Sequence, residues 1–205
     1  MPPSSDIAFS ASVKAVQAAR GSRALYARVE ANGGFFTAID ARLAEALAEA
    51  DSAYLSTASA DGQPYTQHRG GPRGFIRVVD DRHIGFADYL GNRQYISTGN
   101  LAENPKAFLF LMDYARRRRV KIWGRARMIA DDPALIRRLM PEDSHARAEA
   151  ALLFEIHAWD LNCPQHIPRK FDAELVTAAI DSRDAEIASL KAELAMLRAA
   201  AARPD

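Results

Sequence analysis

Hydrophobic and polar positions alternate with two different periods along this chain, and the changes of period divide it into three parts. From about Asp6 to Ala50 apolar residues recur at helical spacing. "SVKAVQAARG" predicts a helix stopped by Gly21, and Ser22 to Ala31 a second closed by Asn32-Gly33-Gly34. "ARLAEALAEA" predicts a third behind Asp40, a good N-cap. From about Asp51 to Cys163 the period falls to two. "AYLSTAS" alternates and turns at Asp61-Gly62 into "QPYTQHR"; "GFIRVVD" and "HIGFAD" make another hairpin around Asp81-Arg82. "KAFLFLMD" is more uniformly apolar, as a buried central strand would be. "RRVKIWGRARMI" is a long alternating strand, and a helix follows the N-cap and N1 pair Asp132-Pro133. A short helix is expected near Ser144 to Ala151, and "LLFEIHAWDLN" is a final strand.

Six or seven hairpin-linked strands at short spacing predict a mainly β protein with added helices, its strands forming a small antiparallel barrel. Three units are expected: an N-terminal helical extension over 1–50, the barrel over 51–171 and a C-terminal helix over 172–205. In the last, Ile180, Ile187, Leu190, Leu194 and Leu197 follow one another in steps of seven, three, four and three. That is an a/d seam, interrupted at Arg183 and flanked by Glu186, Lys191 and Glu193. It suits either a helix packed on its own domain or a short coiled coil between molecules.

Composition narrows the partners. Nearly half of the residues (48%) are hydrophobic, enough for a packed core. The 27 Lys and Arg residues against 26 Asp and Glu leave no basic excess of the kind nucleic-acid binding requires. The single cysteine, Cys163, cannot form an internal disulfide, which fits a reducing compartment. No apolar run reaches membrane-spanning length, and the N-terminus lacks a charged-then-apolar signal. A soluble, cytoplasmic protein without nucleic-acid or membrane partners is expected.

Four segments carry candidate chemistry. In "ADYLGNRQYISTGNLAENP", Asn92 and Arg93 follow a strand end and precede a helix-length run, with Gly91 beside them. The unpaired N–H groups of a helix start favour a phosphate, and an arginine adds a bidentate contact; the alternative is a capped loop with an exposed arginine. In "QPYTQHRGGPRGF", Gly70-Gly71-Pro72 breaks a strand next to Gln67, His68 and Arg69. Such a break either lets main-chain groups meet a flat ligand or is a bulge with polar ends. In "YARRRRVKIWG" the basic run cannot form one stripe on a strand, because neighbours point to opposite faces. Arg119 and Lys121 share one face and Arg118 takes the other. In "WDLNCPQHIPRKF", Cys163 and His166 lack an orienting acid and are only two potential metal ligands. A turn offering Gln165 and His166 to a ligand is the better reading. No P-loop, GxGxxG after a strand, HExxH or GxSxG is present. No catalytic acid, base or nucleophile and no metal site is assigned.

Taken in order, "AYLSTASADGQPY", "GFIRVVDDRHIGFADYLGNRQYISTGNLAENPKAFLFL" and "RRRRVKIWGRARMI" resemble the pyridoxamine 5′-phosphate oxidase-like family of FMN-binding split barrels. The resemblance runs from about Asp51 to Ile129. It implies that the G-[SN]-R segment, here Asn92 and Arg93 with Gln94 following, holds the FMN phosphate. It also implies a contact from Gln67, with His68 and Arg69 beside it, and a flavin at a homodimer interface approached by Arg118, Arg119 and Lys121. The chain departs from true pyridoxamine-phosphate oxidases in "QHRGGPRGFIRV", in Arg119 where they carry glutamine, and in "NCPQHIPRKF", which lacks their substrate-binding arginine segment. The resemblance therefore supports FMN and speaks against pyridoxamine phosphate as substrate. It implies an FMN-dependent oxidoreductase passing hydride at flavin N5 to or from a small substrate or NAD(P)H. The rival reading is a non-catalytic or redox-sensing split barrel that holds flavin, deazaflavin or haem.

Overall fold

The computed structural model describes residues 2–141, 147–162 and 164–201. After a short 3₁₀ turn at Ser4–Ile7 come helices α1 (Ala11–Ala19), α2 (Arg23–Ala31) and α3 (Ala41–Glu49). Strands β1 (Ser52–Ala58), β2 (Pro64–Gly70), β3 (Arg77–Val78) and β4 (His83–Tyr89) follow, then α4 (Ile96–Glu103), β5 (Lys106–Asp113) and β6 (Arg118–Ile129). The chain continues through α5 (Pro133–Leu139), β7 (Ala148–Asn162) and α6 (Ala173–Ala201).

All strand pairs are antiparallel, in the order β2-β1-β5-β6-β7-β4-β3. The sheet is not closed between β2 and β3. This is an antiparallel split β-barrel with added helices, as the period-two pattern predicts. Alternation explains its core: Ala53, Leu55 and Thr57 of β1, Leu109 and Leu111 of β5, and Val120 and Ile122 of β6 all point inward. Leu43 and Leu47 of α3 complete that core. Asp40 caps α3 by accepting from the Arg42 and Leu43 N–H groups. On the outer face of β6, Trp123 stacks on Phe35 at 5.2 Å, so part of the N-terminal extension covers the sheet. Trp159 is fully buried and donates its indole N–H to the Ala38 carbonyl over 2.8 Å.

Two expected elements differ. "GFIRVVD" forms a strand only at Arg77–Val78. Phe75 and Ile76 are buried, while Asp80 turns the chain by accepting from the Arg82 and His83 N–H groups. The helix expected near Ser144 to Ala151 is overturned from Ala148 onward, where β7 begins; residues 144–146 and Cys163 lie outside the described residues. Alanine-rich "AEAA" favours helix locally, but Ala148 pairs with Tyr89 on β4 and Ala151 with Ile129 on β6. Two ladders outweigh a propensity difference of a few tenths of a kcal/mol per residue, roughly.

Candidate functional site

Between the end of β4 and the start of α4 the chain takes two left-handed steps on residues other than glycine, Arg93 at φ 61° and Tyr95 at φ 52°. Each costs about 1–2 kcal/mol relative to a right-handed backbone, so surrounding contacts must hold the turn. The Asn92 side chain supplies one by accepting from the Gln94 N–H at 3.2 Å. Tyr95, in the N-cap position, gives α4 no side-chain cap. Among the described residues no side chain accepts from the first-turn N–H groups of Ile96, Ser97 and Thr98, which are available to an outside acceptor. Gly91 itself is not left-handed, and a Cβ there would come no nearer than 3.9 Å to the Tyr89 carbonyl. The unusual backbone falls on its neighbours instead.

This turn forms one wall of a cavity of about 220 Å³. Tyr65, Gln67 and Arg69, the inward face of β2, form another, with Asp88 and Glu149 closing it. Ser97 is buried and donates to Gln67 Oε1 at 2.9 Å, so that, among the described residues, nothing accepts from the Gln67 amide nitrogen. Arg69 is ion-paired with Asp88, both largely shielded from solvent, and its Nε is buried without a hydrogen-bond partner. Tyr95 donates its hydroxyl to Glu149 at 3.3 Å. The Tyr95 side chain, and then the Glu149 charge, hold the Arg93 guanidinium above its ordinary pKa. Of the two cations among the described residues lining the cavity, Arg69 is ion-paired with Asp88, and Arg93 lies within reach of an incoming anion.

The structure thus brings Gln67, Arg69, Asn92, Arg93 and Gln94 together. His68 projects to the other face of β2, edge-on to Tyr54 at 5.7 Å. Arg118 lines a different cavity of about 460 Å³, 3.6 Å from Glu45 and 4.0 Å from Asp113. Arg119 and Lys121 lie on the opposite face of β6 from Arg118. There Lys121 pairs with Asp160 at 3.2 Å and sits 5.2 Å from the Trp123 ring. Gln165 and His166 form an exposed turn away from the α4 cavity. The Gly70-Gly71-Pro72 break is also elsewhere: Gly71 lines a groove with Asp51 and Leu175, and a Cβ on it would meet Phe75 at 2.7 Å.

Several lining residues escaped the sequence reading. Tyr65 shares a face with Gln67 by simple alternation and was legible; Ser97 and Thr98 were legible as hydroxyls in a helix's first turn. Glu149 was hidden because its segment reads as helix. Among the described residues no group of three or more His, Cys, Asp or Glu side chains could hold a metal ion, and no helix is long and apolar enough to cross a membrane.

Comparison with solved structures finds similar proteins. HupZ of Group A Streptococcus superposes with a TM-score of 0.50 and 15% identity, covering 65% of this chain and 100% of that one. A putative pyridoxamine 5′-phosphate oxidase from Lactobacillus delbrueckii gives 0.48 and 18%, covering 61% and 95%. An FMN-binding protein from Syntrophomonas wolfei gives 0.46 and 13%, covering 74% and 95%. No curated protein matches the chain. The sequence profile described as pyridoxamine 5′-phosphate oxidase matches residues 39–163, which include every strand and the whole α4 cavity. The chain belongs to the pyridoxamine 5′-phosphate oxidase family.

Proposed function

We propose that this protein is a flavin-dependent oxidoreductase that holds FMN by its phosphate in the α4 cavity and works as a homodimer with the flavin at the subunit interface. One observation carries the reading: a left-handed turn, an uncapped helix start, the Gln67 amide and the Arg93 guanidinium converge on one small polar cavity. This donor set fits a phosphate, since helix-start N–H groups and an arginine favour a dianion. The Thr98 hydroxyl and the Gln67 amide nitrogen would complete its shell, the Ser97 hydroxyl being committed to Gln67 Oε1. At about 220 Å³ the cavity is smaller than the roughly 300–1,000 Å³ typical of a whole ligand of drug size. It suits the phosphate end, with the ring lying outside and covered by a second copy. In that arrangement Arg118, Arg119 and Lys121 would reach the flavin only from the other subunit, because within one chain they line other surfaces.

Bound flavin supplies hydride transfer at N5, and the protein supplies position and field. The reaction partner is a small organic molecule or NAD(P)H, and the cell compartment is the cytoplasm. Absorption spectroscopy of the protein purified from cells, or incubated with FMN, tests the reading. A flavin spectrum that stays with the protein through gel filtration is expected; a colourless protein that gains none would overturn it. Stopped-flow reduction by NADH or NADPH, with repeated turnover against a quinone, separates an oxidoreductase from a protein that only stores flavin or senses its redox state.

A further inference from the structure

The C-terminal helix α6 runs for 29 residues, and none of its residues is buried. Its seam residues Ile180, Ile187, Leu190, Leu194 and Leu197 are between 44% and 61% exposed in the single chain. The body holds only the start of the helix, where Arg73 pairs with Asp172 at 2.5 Å and Leu175 lines the groove beside Gly71. Packing on its own domain, one of the two roles the heptad pattern allows, is therefore not what this chain does.

We infer that α6 pairs with α6 of a second copy as a parallel, two-stranded coiled coil. Two properties of the helix select that occupant. The first is the choice of seam residues. Positions a carry Ile180, Ile187 and Leu194, and positions d carry Val176, Leu190 and Leu197, close to the Ile-at-a, Leu-at-d pattern that favours two parallel strands.

The second is charge. In a parallel pair each g residue faces the e residue five positions on in the other helix. Here Glu186 meets Lys191 and Glu193 meets Arg198, and the two-fold axis repeats both pairs. Every such charged contact is attractive. An antiparallel pair would set g against g, placing Glu186 and Glu193 opposite one another. One layer opposes the pairing: Arg183 at a d position meets its own copy there, and Asp184 of the second copy, at the adjacent e position, supplies the counter-ion that offsets this repulsion. A lipid surface is a poorer occupant, since residues 173–201 carry five acids against three bases and anionic membranes select basic helices. The inference does not depend on the flavin reading and concerns a surface remote from the α4 cavity.

Disulfide trapping in the full-length protein tests it. In a Cys163→Ser background, Leu190→Cys and Leu197→Cys are made singly and oxidised mildly. In a parallel, in-register pair the Cα atoms at each d layer approach within the roughly 4.4–6.8 Å a disulfide needs. Both variants are expected to form covalent dimers that reduction reverses. An antiparallel pair would crosslink at one position at most. A helix covered by its own barrel or by a different protein would crosslink at neither. Either result overturns the proposal. Adding Glu186→Lys with Glu193→Lys to Leu190→Cys turns four attractions into repulsions, and should slow crosslinking by about tenfold or more at low salt. Further adding Lys191→Glu and Arg198→Glu should restore it. Crosslinking indifferent to these changes overturns the assigned register.

Discussion

Ser97 Oγ donates to Gln67 Oε1 over 2.9 Å, joining the one buried residue of the first turn of α4 to the inward face of β2. The bond fixes which end of the amide faces the cavity, leaving nitrogen, a donor, toward an anion. Ser97→Ala should therefore weaken FMN binding by about fivefold, the effect of one neutral hydrogen bond of about 1 kcal/mol. Fluorescence titration of FMN measures it. Gln67→Ala combined with Ser97→Ala should cost less than the two single losses summed, because both remove the same contact. Additive losses would show that the two residues act separately.

Arg93 and Glu149 oppose each other in the same cavity. Arg93→Ala should raise the FMN dissociation constant by about tenfold or more, the scale of a charge-assisted hydrogen bond. Arg137→Ala, on the exposed surface of α5, should leave it unchanged. Glu149→Gln removes a carboxylate from the phosphate's surroundings and should tighten binding by roughly three- to tenfold at low ionic strength, less at high salt. Riboflavin, which lacks the phosphate, should respond to neither change; an equal response would move the phosphate away from this turn.

Gly124 sits where β6 and β7 change register between Trp123 and Gly124. A Cβ at this position would overlap the Glu155 carbonyl oxygen and press within 2.7 Å of the Phe154 ring. Backbone cannot yield as a flexible side chain can. Gly124→Ala is expected to destabilise the fold by about 2–3 kcal/mol, as overpacking does. Urea denaturation measures it, and a shift below about 0.5 kcal/mol would contradict so close an approach.

Asp40 caps α3, and the Arg42 guanidinium first, then the Leu43 and Arg42 N–H groups, hold its carboxyl below its ordinary pKa against the opposing effect of burial. A carboxyl lowered in the folded state stabilises the fold above the unfolded value of roughly 3.9, and that contribution fades as pH drops through the folded value. Asp40→Ala should cost about 1 kcal/mol at pH 7. The difference between wild type and variant should shrink on going below about pH 4. Thermal melts at pH 7 and pH 3 check the sign, and a gap that widens in acid would refute it.

Local pattern was enough for most of the architecture. Period-two alternation carried β1, β2 and β6, a hairpin turn marked β4 and a uniformly apolar run marked β5; β1, β5 and β6 each set one face in the core, and a one-residue slip would expose Leu55, Leu109 or Ile122. Helix starts at Asp40 and Asp132 were legible because a cap is a contact within three residues. The order of short motifs likewise pointed to the family and to the turn at Asn92 and Arg93. What escaped local reading depends on neighbours distant in sequence. The alanine-rich start of β7 is a strand because β4 and β6 flank it, and that pairing brings Glu149 to the cavity. Whether His68 or Arg69 faces that cavity, and whether Arg118 shares it, depends on strand parity relative to the core. Parity follows from sheet packing, and composition carries no trace of it. The exposure of the α6 seam is of the same kind: heptad spacing marks an apolar stripe, but only the path of the helix away from the barrel leaves that stripe uncovered in the single chain.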